Sequence, residues 1–179
     1  MTDASRPVLS GTPVLETERL ILRAPVAADW PFFRDFTLSE RSVFVRPDEV
    51  DTARAWRSMG HVVGMWVLRG FGSFVMERKE DRAPLGLCGP WYPIDWPEPE
   101  IGWTLWSADA EGKGYAFEAA TAARRHAFDN LGWPTAVSYI DPANARSIAL
   151  AERLGAVRDR DAAFPGNDPC LVYRHPRVV

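Results

Sequence analysis

Apolar and polar residues alternate or recur along this chain in short runs that name its elements one by one. Thr17–Arg23 sets aliphatic residues between polar flanks and predicts a strand. Asp29 precedes a helical stretch to about Ser39, with Asp29 as candidate N-cap and Pro31 tolerated in the first turn. A second helix is expected from Asp51 to about Met65, because Ala53, Trp56, Met59 and Val63 recur at helical spacing. Gly72–Arg78 and Pro84–Tyr92 then read as strands joined by a polar hairpin over Glu77–Ala83, and Glu100–Trp106 as a third strand. A glycine-bearing loop, Asp109–Gly114, leads into a helix from Tyr115 to about Asn130, which Gly132 and Pro134 end. Thr135–Ile140 predicts a short strand. Asp141-Pro142 opens a last helix ending at Leu154-Gly155, and Cys170–Arg174 closes the series as a strand.

Strand, two helices, a strand meander, then strand-helix-strand-helix-strand: this order predicts a mixed α/β, α+β-like layout around one sheet. No repeat or linker divides the chain, so residues 1–179 read as one domain, with 1–12 a loose tail. The balance of 21 Lys+Arg against 24 Asp+Glu leaves a net charge of -3. That excludes a broad phosphate-coating surface, and no nucleic-acid partner is expected. No apolar stretch is long enough for a membrane span. Cys88 and Cys170 are too few for a disulfide framework, and no signal-like N-terminal pattern is present, so a cytoplasmic location is expected. Two Cys and three His at unrelated spacings make no metal site. Eight tryptophans are the one compositional excess with a bearing on chemistry.

The segment Leu105–Ala120 carries that chemistry: a strand runs through Gly112-Lys113-Gly114 straight into a helix. The first N–H groups of such a helix have no internal partner, and its dipole favours an anion. Glycines there let the backbone approach a phosphate or pyrophosphate closely, although a glycine loop can also merely turn the chain. Ala116, Ala120, Ala123, Ala127 and Leu131 form a small-residue stripe that allows tight packing on a sheet. A nucleoside-triphosphate loop is disfavoured, because Lys113 is followed by Gly114-Tyr115 without a magnesium-binding hydroxyl. A dinucleotide fingerprint is disfavoured too, since Phe117 stands where Gly or Ala is needed.

Three ordered stretches then fall into one pattern. They are Leu15–Arg23 (Leu-Glu-Thr-Glu-Arg-Leu-Ile-Leu-Arg), Glu111–Ala116 (Glu-Gly-Lys-Gly-Tyr-Ala) preceded by Glu100–Leu105, and Asn144–Gly155 (Asn-Ala-Arg-Ser-Ile-Ala-Leu-Ala-Glu-Arg-Leu-Gly). Together they resemble the GNAT acetyltransferases, and among them the branch that acetylates ribosomal-protein N-termini. The resemblance implies a GNAT-type fold, one central, mostly antiparallel sheet flanked by helices. It implies acetyl-CoA as cofactor and direct transfer of acetyl to a primary amine, on a protein N-terminus or a small molecule. Residues implied at the cofactor are Trp103, Thr104, Leu105, Glu111, Gly112, Lys113, Gly114, Tyr115, Ala116, Asn144 and Ser147. Two positions depart from the family pattern. Glu111 stands where Gln or Arg is usual, and Ala151 where many relatives carry a tyrosine that reprotonates the CoA thiolate.

An attacking amine must be neutral. An α-amine of pKa ~8 is roughly 10% neutral at pH 7, a lysine on the order of one part in a thousand, so a low-pKa amine needs less help. Strand alternation puts Glu100, Gly102, Thr104 and Trp106 on one face, with Ile101, Trp103 and Leu105 on the other. Glu100 is the candidate base, acting through water, against a reading as a solvated strand-end charge. Ser147 is the candidate thiolate partner; Ser147 and Asn144, at i and i+3, serve either the cofactor or the helix cap. Lys113 and Arg146 balance CoA phosphates or are simply solvated. Trp91, Tyr92, Trp96 and Trp103 wall an acceptor pocket or fill the core, while Trp30, Trp56 and Trp66 belong to the helical cover. Cys88 reads as a small buried hydrophobe and His126 as a surface or helix-end residue. A non-catalytic acyl-CoA-binding or sensor module stays open as the alternative function, and so does the oligomeric state, a homodimer included.

Overall fold

The structure, a computed structural model, describes residues 8–45 and 50–177. Its strands are β1 (Leu15–Glu16), β2 (Leu20–Arg23), β3 (Phe74–Arg78), β4 (Pro84–Trp91), β5 (Glu100–Leu105), β6 (Val137–Ile140), β7 (Val157–Asp159) and β8 (Leu171–Arg174). Its helices are α1 (Trp30–Thr37), α2 (Thr52–Leu68), α3 (Tyr115–Asp129) and α4 (Ala145–Arg153). The strands form one sheet in the order β1-β2-β3-β4-β5-β6-β8-β7. Every neighbouring pair is antiparallel except β5–β6, which is parallel. The expected mixed fold with a mostly antiparallel sheet is therefore present.

The sheet buries different residues on its two faces, as strand alternation requires. Val75, Leu87 and Trp106 pack with Phe33, Phe36, Met59 and Val62 of α1 and α2. Phe74, Met76 and Cys88 pack with Ala119, Ala120 and Ala123 of α3. Ala120, Ala123 and Ala127 of the small-residue stripe are fully buried, with Ala119 beside them, where α3 packs on the sheet, while Leu131 at its end is partly exposed. Ala116, at its start, stays partly exposed.

The β5–β6 pair positions the site. Their ladder has the single rung Glu100↔Val137, and past this start the two backbones do not pair. Strands that begin together and part leave a slot in the sheet. Residues Gly102–Thr104 and Ser138–Ile140 border it, and α4 lies beside it.

Several boundaries and roles differ from the sequence reading. Thr17–Arg23 is not one strand: Thr17 N bonds Leu20 O at 3.0 Å and folds the segment into a tight β1–β2 hairpin. β7 is unannounced in sequence because only three residues make it. Helix α2 continues past Met65 to Leu68, and Asp51, expected to begin it, is its N-cap, accepting from Arg54 N at 2.6 Å. Glu77 belongs to β3 and is buried rather than part of a polar hairpin.

Asp29 stands at the N-cap position of α1, as expected, but its side chain makes no capping bond to that helix. It is buried, accepts both Arg23 Nη1 and Nη2 at 2.9 Å, and accepts Val26 N at 2.8 Å. A bidentate guanidinium satisfies a desolvated carboxylate better than a lone helix amide does. Gly155, by contrast, takes the left-handed C′ conformation expected of it, φ +78°, with Ala156 N bonding Ala151 O at 3.0 Å. Of the tail, residues 1–7 lie outside the described residues, and 8–14 carry no helix or strand.

Candidate active site

The loop between β5 and α3 leaves backbone amides of a kind that suits an anion. Gly112 and Gly114 adopt φ +71° and +81°, the left-handed region where a side chain is strained. Gly114 is the N-cap of α3 and has no side chain to offer the helix start, and the first bond back to it comes from Glu118 N at 3.0 Å. The amides of Tyr115, Ala116 and Phe117 thus precede the first internal bond and face outward from the helix start. Tyr115 contributes backbone only, because its ring is buried beneath the Arg19 guanidinium, 4.6 Å from the ring centre. Lys113 is exposed.

The loop is tied from two sides. Arg19 donates Nη1 to Lys113 O at 2.9 Å and Nε to Glu118 Oε2 at 2.7 Å, while Glu118 Oε1 accepts from Thr17 Oγ1 at 2.5 Å and Arg19 N at 2.8 Å. The β1–β2 corner therefore grips the first turn of α3. On the other side Glu111 accepts Arg41 Nη2 and Arg146 Nη1, each at 2.5 Å. The carboxylate at the unusual motif position is neutralised by two cations, one from the turn after α1 and one from the first turn of α4. Arg41 also reaches Leu105 O at 3.3 Å. Sequence reading missed Arg41, since a single arginine in a three-residue turn has no pattern to betray it.

One cavity of about 590 Å³ runs from the α1–α2 cover to α4. It gathers five of the candidate residues, Glu100, Trp103, Thr104, Asn144 and Ser147. The loop residues Glu111 to Ala116, with Leu105, do not line it. Phe33, Phe36, Trp91 and Trp96 form part of its wall. Tyr92 does not; its ring lies 4.9 Å from the Arg69 guanidinium. Trp30 and Trp56 stack edge-on at 4.9 Å away from the cavity, and Trp66 is buried, donating to Ser73 O at 3.2 Å.

Glu100 stands at the start of the slot. Burial pushes its carboxyl up to about 7, against the opposing pull of a 2.6 Å hydrogen bond from Trp96 Nε1. A carboxyl balanced near neutrality can both take and hold a proton at working pH. Asn144 caps α4, its Oδ1 accepting from Ser147 N at 3.1 Å, so the capping role expected of it is real. Ser147 Oγ accepts from Trp103 Nε1 at 3.2 Å. Ala151 is fully buried among Ile140, Ala156 and Tyr173 and offers no hydroxyl.

Neither cysteine lines the cavity, and neither is an activated nucleophile. Burial pushes the Cys88 thiol far up and the Cys170 thiol up to about 11. Ser138, on the cavity wall, donates to Ile101 O at 2.6 Å and so must accept from His175 Nε2 at 2.9 Å. The imidazole is a donor in that pair and cannot take the serine proton. Burial, with Arg124 nearby, holds His175 down at about 3, hence neutral. His126 is not on the surface. It is buried beside Phe74 near the end of α3, and desolvation lowers its pKa. Among the described residues no group of three His, Cys, Asp or Glu is placed to hold a metal ion, and no helix is long and apolar enough to cross a membrane.

The acetyltransferase (GNAT) domain model matches residues 19–157. The crystal structure of an acetyltransferase from Agrobacterium tumefaciens is 39% identical, covers 96% of this chain and 99% of its own, and superposes with a TM-score of 0.85. A ribosomal-protein-S5-alanine acetyltransferase from Vibrio fischeri shares the fold at 15% identity, covering 90% and 95% of the two chains at a TM-score of 0.67. A ribosomal L7/L12 alpha-N-protein acetyltransferase does so at 16% identity, covering 97% and 99%, with a TM-score of 0.70.

Proposed function

The chain belongs to the GNAT acetyltransferases, and from that premise we propose that it moves acetyl from acetyl-CoA to a primary amine by direct attack. The observation that carries this reading is one cavity that both Glu100 and Ser147 line; the start of α3, outside that lining, has amides without an internal partner. The residues fit the cofactor: the outward amides of Tyr115, Ala116 and Phe117 suit a pyrophosphate, and the slot beside β5, Asn144 and Ser147 suits a slender polar arm. Acetyl-CoA supplies the activated acyl group when bound.

The chain's own groups do the rest. Glu100 takes the proton that the amine must shed, directly or through one water, and its elevated pKa matches that task near pH 7. Trp96 orients the carboxyl by its hydrogen bond. Ser147 presents a hydroxyl where the thiolate leaves, a role left vacant by Ala151. The poorly acidic thiols and the donor role of His175 favour direct attack over an acyl-enzyme route. Phe33, Phe36 and Trp91 suit an acceptor with an apolar group beside its amine. The binding-module alternative gains nothing from Glu111, whose charge Arg41 and Arg146 cancel.

The test mixes the protein with acetyl-CoA and a panel of peptides and small amines, and follows free thiol. Thiol release that depends on an amine supports the reading. Tight CoA binding without release for any amine would overturn it in favour of the binding module.

A further inference from the structure

We propose that Trp103 is a positioning residue that aims the Ser147 hydroxyl at the departing sulfur of the acyl donor. The inference rests on the cofactor placement and the Ser147 role given above. An indole N–H can only donate. In the 3.2 Å contact Ser147 Oγ is therefore the acceptor, and its own hydrogen remains available for another partner.

Serine in a helix commonly spends that hydrogen on a carbonyl one turn back, which turns the hydroxyl away from whatever the helix faces. Ser147 lies in the first turn of α4 and lines the cavity, and its oxygen accepts from Trp103, which holds the side chain toward β5. The contact draws the side chain across from α4 to β5, over the slot where the two strands part. Trp103 can impose this because it is itself fixed. Its ring packs on the α3 and α4 core clusters and meets the His175 ring edge-on at 6.4 Å.

An aliphatic hydroxyl is a far weaker acid than a thiol, so the expected service is a hydrogen bond to the sulfur rather than proton transfer. As the carbon–sulfur bond breaks, its electron pair goes to sulfur, and the Ser147 O–H donates to that developing thiolate. The amine proton leaves separately to Glu100. The O–H bond stays intact throughout, so Ser147 needs no reprotonation.

The experiment reads the thiol directly, without turnover. CoA is bound to the full-length protein and its thiolate absorbance is titrated in wild type, Trp103→Phe, Ser147→Ala and the double variant. A charge-assisted hydrogen bond shifts such an ionisation by about one pH unit, so Ser147→Ala should raise the bound thiol pKa by about that much. Trp103→Phe should raise it by a large part of the same amount, and the double variant should match Ser147→Ala alone. In the acylation assay Trp103→Phe should lower kcat about three- to tenfold with KM for acetyl-CoA unchanged, and have no effect in the Ser147→Ala background.

Loss in Ser147→Ala with none in Trp103→Phe would overturn the positioning role and leave the serine. No loss in Ser147→Ala would remove the serine itself, and with it that part of the proposed mechanism. A Trp103→Phe loss that persists undiminished in the double variant would make the tryptophan merely structural.

Discussion

Trp96 Nε1 donates to Glu100 Oε2 at 2.6 Å, and so one indole sets how firmly the cavity's buried carboxyl holds its proton. Burial raises the carboxyl to about 7 and the indole bond favours the ionised form. A base works deprotonated, so kcat/KM should be low below this value and rise with pH through about 7. Glu100→Gln should lower it by about a hundredfold or more, the usual range for a lost general base. Trp96→Phe removes a bond to the charged form, so the limb should move to higher pH, with activity lost at neutrality and recovered above it. A limb set by the acceptor's own amine would not move with Trp96. A pH–rate profile of the two variants separates these cases.

The two arginines on Glu111 make a second prediction. The carboxylate lies next to amides that suit a pyrophosphate, but its charge is shared by Arg41 and Arg146. Glu111→Gln removes one negative charge and leaves both cations in place. CoA should bind severalfold more tightly by calorimetry, and more so at low salt. The stability cost should be about 1 kcal/mol or less, because all three groups are partly solvated. Weaker binding by the glutamine variant would mean that the carboxylate is needed to aim the arginines.

Gly114 gives a third. Its φ of +81° at the N-cap of α3 is strained for any side chain, and an added Cβ would lie 3.4 Å from Arg19 Nη2. Gly114→Ala should cost about 1–2 kcal/mol of stability. Its effect on CoA binding should be larger, since the helix-start amides move with the loop. Gly112→Ala meets nothing within 4 Å, so only the strain of its φ of +71° applies. Thermal melts and CoA titrations of both variants check the ranking.

Long periodic segments were legible in the sequence because hydrophobic spacing decides them locally. Helices α2 and α3 and the meander β3–β5 fall within a few residues of expectation. What escaped depends on partners distant in sequence. Asp29 has every local feature of an N-cap, but Arg23 on β2 claims it. β1 and β7 are too short to show a period, and each exists because a neighbouring strand offers a ladder. At the site, the family resemblance pointed to the glycine loop, Asn144 and Ser147, and the last two line the cavity. The arginine pair on Glu111, the Trp96–Glu100 bond and the split of tryptophans between cavity wall and helical cover required the fold.

The grip of the β1–β2 corner on α3 should itself be pH-dependent. Burial alone would raise the Glu118 pKa, but hydrogen bonds from Thr17 Oγ1, Arg19 N and Arg19 Nε outweigh it and leave the folded value below the ordinary 4.5. A carboxyl whose folded pKa is depressed adds stability that is full above the unfolded value and is lost as pH falls through the folded one. Glu118→Gln should therefore melt below wild type at neutral pH, by about 1 kcal/mol given the half-open Arg19 side. The gap should begin to narrow as pH drops below about 4.5, where the unfolded chain takes up the proton, and close once pH falls below the depressed folded value. Because Arg19 also holds Lys113 O, the same variant should weaken CoA binding at neutral pH, and that loss too should fade in acid. A gap that stays constant across the acid range would show that Glu118 acts by shape alone and not by charge.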